Sequence, residues 1–266
     1  GSIIFSSHGE DGLGENEPVD GITANDDDEA DVNLNILAAS TADVTIEELD
    51  ISDEDVENLF IDHDGTGTLT ITGGTPAIVT GLGSEGIYIT GTGDIVLSDE
   101  LALTSNTTLE STTVSVFDAT GHSGLLAAGE IQGVDNADFS FTSGSGVTTM
   151  KFTDNNLDST GVDTIPGNAD DTAGWTFDFS NAAPGSTFHF APPAEAFVAG
   201  SVLNIIMGPN ATLYIDTDMD LSDLDLTITG AQNIVLADEV ELILSAEQAD
   251  GLNIVAGPDT DADDSF

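Results

Sequence analysis

Carboxylates that follow apolar segments are the side chains of this chain best suited to chemistry. Asp62 and Asp64, and Asp216, Asp218 and Asp220, stand at alternate positions directly after such segments. Alternate carboxylates project to one side of an extended segment, and at a turn they can converge with backbone carbonyl oxygens. Calcium takes about six to eight oxygen ligands in flexible geometry, so this set favours calcium over zinc or magnesium. The sequence therefore predicts calcium binding by these aspartates.

A second set of acids belongs to a motif that occurs twice. Residues 89–103 read ITGTGDIVLSDELAL and residues 228–242 read ITGAQNIVLADEVEL, identical at nine of fifteen positions. A shorter echo lies upstream, where residues 59–64 resemble residues 213–218 and LTITG follows each. Two linked echoes in one order indicate an internal repeat. The recurring acids are further predicted metal ligands, with a plain polar turn as the alternative: Asp99, Glu100, Asp238 and Glu239.

The charge balance limits the partners of the chain. Fifty acidic residues stand against one basic residue, Lys151, which gives a formal net charge of −49. Such a surface repels itself, so calcium, high salt or both have to neutralise it. Phosphate binding requires Lys and Arg, and we therefore expect neither nucleic acid nor an anionic membrane as a direct partner. A halophilic source would explain the acidity without calcium and stays an alternative.

The apolar pattern predicts an all-β chain. Apolar and polar residues alternate around Leu34 and Ile36, and again around Leu69 and Ile71, in short segments separated by Gly, Asn, Asp and Thr. Short turns and the internal repeat favour a parallel β-solenoid, or β-helix, over the alternative, a β-sandwich. Cysteine is absent, so no disulfide supports the fold.

The composition divides the chain into three parts. We predict an acidic flexible lead-in at 1–31, a β-solenoid domain at 32–257 and an acidic tail or linker at 258–266. Within the domain, repeat-like parts at 58–110 and 210–257 flank a Phe-rich insert at 111–200. Phenylalanines at alternate positions place their rings on one strand face, and we expect six of them to fill the core: Phe139, Phe141, Phe177, Phe179, Phe188 and Phe190.

Catalytic signatures are missing from the sequence. The four histidines, His8, His63, His122 and His189, are too far apart in sequence to suggest a zinc site. G-x-S-x-G, P-loop and H-E-x-x-H motifs do not occur. We therefore predict that the chain is not an enzyme. The alternative is a carbohydrate-active enzyme or carbohydrate-binding module on a β-helix, because a glycosidase needs only paired carboxylates.

Two phrases carry a resemblance to a known class of proteins. LILSAEQADGLNI at residues 242–254 and LTITGAQNIVL at residues 226–236 resemble the β-strand-repeat segments of large secreted bacterial surface proteins. These include type I-secreted adhesins, biofilm-matrix proteins and S-layer-like proteins, which are acidic and free of cysteine. The resemblance implies calcium-stabilised folding at the bacterial cell surface and a structural or adhesive role. It also implies partners: the chain itself, neighbouring modules of the same protein, or cell-surface polysaccharide.

Overall fold

The computed structural model is a β-solenoid whose coils stack in parallel, which confirms the predicted fold class. The described residues contain strands and turns and no helix. They are residues 3–7, 22–23, 32–46, 49–51, 56–72, 78–80, 86–97, 100–102, 116–132, 139–153, 174–192, 201–209, 211–230 and 234–257. The predicted acidic tail at 258–266 lies outside them.

Two long sheets form the walls of the solenoid. Sheet A has nine strands, in spatial order β1 (Ile3–Ser7), β3 (Val32–Ala38), β6 (Val56–His63), β9 (Gly86–Gly91), β12 (Val116–His122), β14 (Phe139–Thr142), β16 (Gly174–Phe179), β18 (Val202–Met207) and β21 (Asp225–Thr229). Sheet B has 13 strands along a path of β2 (Ile22–Thr23), β5 (Leu49–Ile51), β8 (Ile78–Thr80), β11 (Glu100–Ala102), β13 (Leu126–Gln132), β15 (Thr148–Phe152), β17 (Thr187–Phe190), β19 (Thr212–Ile215), β22 (Ile234–Leu236) and β24 (Ile254–Ala256), with β4 (Val44–Ile46), β7 (Thr68–Ile71) and β10 (Asp94–Leu97) beside it. A small third sheet pairs β20 (Met219–Asp220) with β23 (Leu242–Ile243).

Successive coils stack in register, so equivalent residues form columns along the solenoid axis. Every described strand pair is parallel except β1 with β3, which is antiparallel. Because side chains alternate along a strand, each column faces either the core or solvent along its whole length. One inward column of sheet A passes from aliphatic to aromatic and back: Leu34, Leu59, Ile87, Phe117, Phe141, Phe177, Ile205 and Ile228.

The aromatic core lies in the middle of the solenoid, as the sequence predicted. All six phenylalanines expected there are buried, with no side chain more than 2% exposed. Phe152 joins them, and its ring centroid lies 4.9 Å from that of Phe177 and 6.0 Å from that of Phe190. Trp175 is buried against Phe152. Burial of these rings removes the largest apolar surfaces of the chain from water and is the main stabilising term of the central coils.

The glycine of the repeated I-T-G phrase has the same structural task in both copies. Gly91 is the last residue of β9 and Gly230 directly follows β21, and their φ values are positive, 103° and 73°. A Cβ atom at Gly91 would overlap the carbonyl oxygen of His63, and one at Gly230 would overlap that of Met207. Close backbone approach between coils and a left-handed turn together require glycine here. The internal repeat thus marks one corner of the solenoid.

The shorter upstream echo has no common place in the fold. Residues 59–64 lie in β6 and the turn after it, on sheet A, whereas residues 213–218 lie in β19 and the turn after it, on sheet B. In both segments a strand with inward apolar side chains is followed by a polar turn. That shared requirement explains why the two sequences are similar. In the predicted lead-in, Ile3–Ser7 and Ile22–Thr23 form strands that pair with β3 and β5.

Candidate functional site

The first predicted metal pair flanks a buried histidine at the end of β6. Asp62 lies at the end of β6, half-buried, where its Oδ1 accepts a hydrogen bond of 2.9 Å from the hydroxyl of Thr90 on β9. His63 points inward and is fully buried, while Asp64 is exposed. The carboxylate of Asp62 therefore links two adjacent coils.

The second predicted cluster is divided among three different partners. Asp216 Oδ2 lies 2.8 Å from His189 Nδ1, and Asp218 Oδ1 accepts the backbone N–H of Glu241 at 2.7 Å. Asp220 Oδ1 accepts bonds from the hydroxyl of Ser222 at 2.6 Å and from its N–H at 3.0 Å. The hydroxyl bond, and then the N–H bond, lower the pKa of the Asp220 carboxyl below its ordinary value.

The acids of the long repeat occupy a turn in its second copy. Asp238 and Glu239 are exposed between β22 and β23, and Glu239 has a positive φ of 59°. Asp99 lies outside the described residues, and Glu100 begins β11, where its backbone pairs with that of Glu130. In the part of the chain that the structure describes, no group of three or more His, Cys, Asp or Glu could hold a metal ion.

A recurring role for aspartate went unrecognised in the sequence. Asp43, Asp94 and Asp218 each accept a backbone N–H of a later coil through Oδ1, from Thr68, Leu125 and Glu241 respectively. The three bonds measure 2.9, 2.9 and 2.7 Å. Each aspartate directly precedes an apolar-x-apolar segment, as in Asp94-Ile95-Val96-Leu97, and that pattern is the signal that could have identified them. We call these three residues the coil-linking aspartates.

Asp94→Ala is expected to lower the free energy of unfolding relative to Asp94→Asn by about 1 kcal/mol. Both substitutions remove one negative charge from a chain of net charge −49, so their difference isolates the hydrogen bond to Leu125 N–H. The asparagine keeps a side-chain oxygen in the accepting position. Chemical denaturation of the two variants measures the difference, and equal midpoints would show that the bond contributes nothing.

Buried polar side chains collect at the corner where the chain passes from sheet A to sheet B. His63 Nδ1 lies 3.0 Å from the Ala38 carbonyl oxygen and Nε2 lies 2.7 Å from that of Gly67. His122 Nε2 lies 3.3 Å from the Leu125 carbonyl oxygen. Both histidines thus lie within hydrogen-bond distance of backbone carbonyls at this corner. Neither belongs to a described metal-binding group.

The outer face of sheet B carries the most chemically varied column of the solenoid. Glu130, Lys151, His189 and Tyr214 stand on successive strands in register. Lys151 Nζ lies 3.4 Å from Glu130 Oε2, so the one lysine of the chain is engaged by an acid. The ring of His189 stacks on that of Tyr214 with centroids 4.4 Å apart and planes 2° from parallel. Its Nδ1 bonds to Asp216, as noted above.

A second ring stack, also half-buried, lies on the outer face of sheet A. Phe60 and Tyr88 stand on adjacent strands with ring centroids 4.9 Å apart and planes 16° from parallel. Gly86 leaves room for the tyrosine, because a Cβ atom there would come within 2.7 Å of the Tyr88 ring. Both tyrosines of the chain thus face outward. Neither stack was predicted from the sequence. The sequence alone does not show which residues of a strand face outward until it is known which of the alternating positions face the core.

Comparisons with known proteins give no information about the function of these residues. No protein-family model matches the chain, and neither a curated protein nor a solved structure is significantly similar to it. The described residues also include no helix long and apolar enough to cross a membrane.

Proposed function

We propose that this chain is a structural, self-associating module of a bacterial cell-surface or extracellular-matrix protein. The observation that carries the proposal is the apolar character of the last coil. β21, β23 and β24 stand last in their sheets, and no described strand continues beyond them. Ile243, Ile254 and Val255 are exposed there, although large apolar side chains are otherwise nearly all covered in the described part of the chain. Exposed apolar surface of this kind is typical of an interaction site.

The end of the solenoid has the same form as the contact between two coils. Ile254 continues the inward column of Leu213 and Ile234, yet 39% of its surface is exposed, since no described strand stacks on its outer side. Partly buried neighbours extend the apolar surface: Leu226, Ile228, Leu236, Val240, Leu242, Leu244 and Leu252. A terminal strand also presents unpaired backbone N–H and C=O groups. A second copy stacked end to end would cover both the side chains and the strand edges.

Ile254→Asp is expected to weaken self-association by about tenfold or more, because it places a charge in the apolar contact. Sedimentation velocity over a wide range of protein concentration measures the change. The runs need high ionic strength, because molecules of net charge −49 repel one another when screening is weak.

Leu37→Asp is the matched control for this experiment. Leu37 is 41% exposed, close to the value for Ile254, but it lies on β3 near the other end of sheet A. Its substitution should leave association unchanged. A wild-type chain that stays monomeric at every concentration, or equal effects of the two substitutions, would contradict end-to-end stacking.

We further propose that calcium stabilises the module outside the cell. The support is the net charge of −49, together with the resemblance described above. Four of the predicted acids, Asp62, Asp216, Asp218 and Asp220, each have their own hydrogen-bond partner, so calcium would bind there in exchange for, or in addition to, those bonds.

A further inference from the structure

The outer faces of β15, β17 and β19 form a regular polar grid. Their outward residues lie in register in two columns, Thr149, Thr187 and Thr212 in the first and Lys151, His189 and Tyr214 in the second. Neighbouring strands are about 4.8 Å apart, so the grid repeats at that spacing along the solenoid axis. Thr153 and Asp216 border it. We call these outward residues the polar grid.

Most of the hydrogen-bonding capacity of the grid is unused within the described part of the chain. The hydroxyls of the three threonines and of Tyr214 make no bond there to another residue. Asp216 Oδ2 accepts a hydrogen bond from His189 Nδ1–H, because a carboxylate can only accept. Nε2, the other ring nitrogen of His189, makes no hydrogen bond to another described residue. Donors and acceptors thus stand side by side on rigid strands.

The strands and the stack hold these groups in place before any ligand arrives. The Tyr214 ring lies flat against the His189 imidazole, and the Asp216 bond fixes the orientation of the imidazole about its own axis. Parallel pairing on both sides of β17 fixes the backbone. Groups that are already ordered lose little conformational entropy on binding, so modest contacts are enough for measurable affinity.

The charge and polarity of this face select the class of ligand. A net charge of −49 repels polyanions, and the only lysine is already engaged by Glu130. The grid contains no aliphatic side chain that would hold an apolar partner. A neutral ligand rich in hydroxyl groups can both donate to and accept from the threonines, Tyr214 and His189. We propose that the polar grid binds a neutral linear glycan lying along the solenoid axis.

The histidines of the chain allow a direct test by NMR. Cellohexaose, laminarihexaose and N-acetylchitohexaose are titrated separately into the isotopically labelled full chain. We expect at least one of them to shift the imidazole signals of His189 saturably, while those of the buried His63 and His122 stay unchanged. Absence of any saturable His189 shift with all three hexasaccharides would overturn the proposal.

Two substitutions then locate the contact. Tyr214→Ser and Thr187→Val are each expected to weaken binding by about tenfold. Thr187→Val removes a hydroxyl from the grid, whereas Tyr214→Ser removes the ring and leaves only a hydroxyl close to the strand, out of the position of the phenol. Thr187→Val leaves the His189–Tyr214 stack intact, so its effect does not depend on any rearrangement of the rings. Tyr88→Ser is the matched control, since it removes the other outward tyrosine from sheet A.

The outcomes of the glycan titrations can be distinguished from those of the self-association experiment with Ile254→Asp. Equal loss of binding in Tyr88→Ser and Tyr214→Ser, or tighter binding of a polygalacturonate hexamer than of any neutral one, would overturn the site or its ligand class. The grid lies on the side of the solenoid, and Ile254 lies at its end. Ile254→Asp should therefore leave glycan binding unchanged, and failure of either proposal leaves the other standing.

Discussion

Phe177→Ala is expected to lower the free energy of unfolding by about 3–5 kcal/mol. The Phe177 side chain is fully buried, and its ring centroid lies 4.7 Å from that of Phe188 and 4.9 Å from that of Phe152. Phe139 and Phe190 follow at 5.8 and 5.9 Å. Truncation leaves a cavity among rings contributed by three other strands, β14, β15 and β17, which cannot all move inward. Denaturant unfolding at constant ionic strength measures the loss.

Phe60→Ala provides the matched control for the core substitution. Phe60 is also a strand phenylalanine stacked on an aromatic ring, but it faces outward and is only partly covered. Its removal should cost about 1 kcal/mol, the contribution of an exposed aromatic pair. Similar losses in the two variants would mean that the central coils do not depend on their aromatic core.

The sequence predicted the fold because the solenoid is built from local rules. Alternation around Leu34 and Ile36 places the inward columns, and the I-T-G glycine marks a corner that Gly91 and Gly230 share. Each of these signals depends on a few neighbouring residues. The similarity of residues 59–64 to residues 213–218 suggested equivalent positions in the fold, but the two segments lie in different sheets. A short sequence motif does not determine the sheet to which its strand belongs.

The candidate sites depend on contacts between coils, which the sequence does not encode locally. The coil-linking aspartates reach partners 25, 31 and 23 residues further along the chain, so the spacing between coils is not constant. His189 meets Asp216 over 27 residues. A reader of the sequence could mark Asp216 as an acid at a strand end, but its partner follows only from the register of β17 on β19.

Millimolar calcium is expected to raise the melting temperature well beyond an ionic-strength-matched sodium chloride control. Folding brings fifty carboxylates together with one lysine to oppose them, and screening by salt removes only part of the repulsion. A cation that binds the native chain more tightly than the unfolded chain adds RT ln(1 + [L]/Kd), or about 2.7 kcal/mol at a hundredfold excess over Kd. Calcium therefore stabilises the native chain at any calcium concentration, provided that the unfolded chain binds calcium more weakly.

Asp216→Asn combined with Asp218→Asn should remove part of the calcium increment. Asp43→Asn combined with Asp94→Asn is the matched control, because it removes the same charge from residues that are not predicted ligands and likewise keeps an acceptor oxygen at each position. Differential scanning calorimetry of the two double variants, with and without calcium, measures the difference. If the two pairs lose the same increment, calcium acts on the total charge and not at the repeat turns. If calcium and sodium stabilise the wild type equally at matched ionic strength, the acids are a solvated surface, and adaptation to high salt explains them better than metal binding.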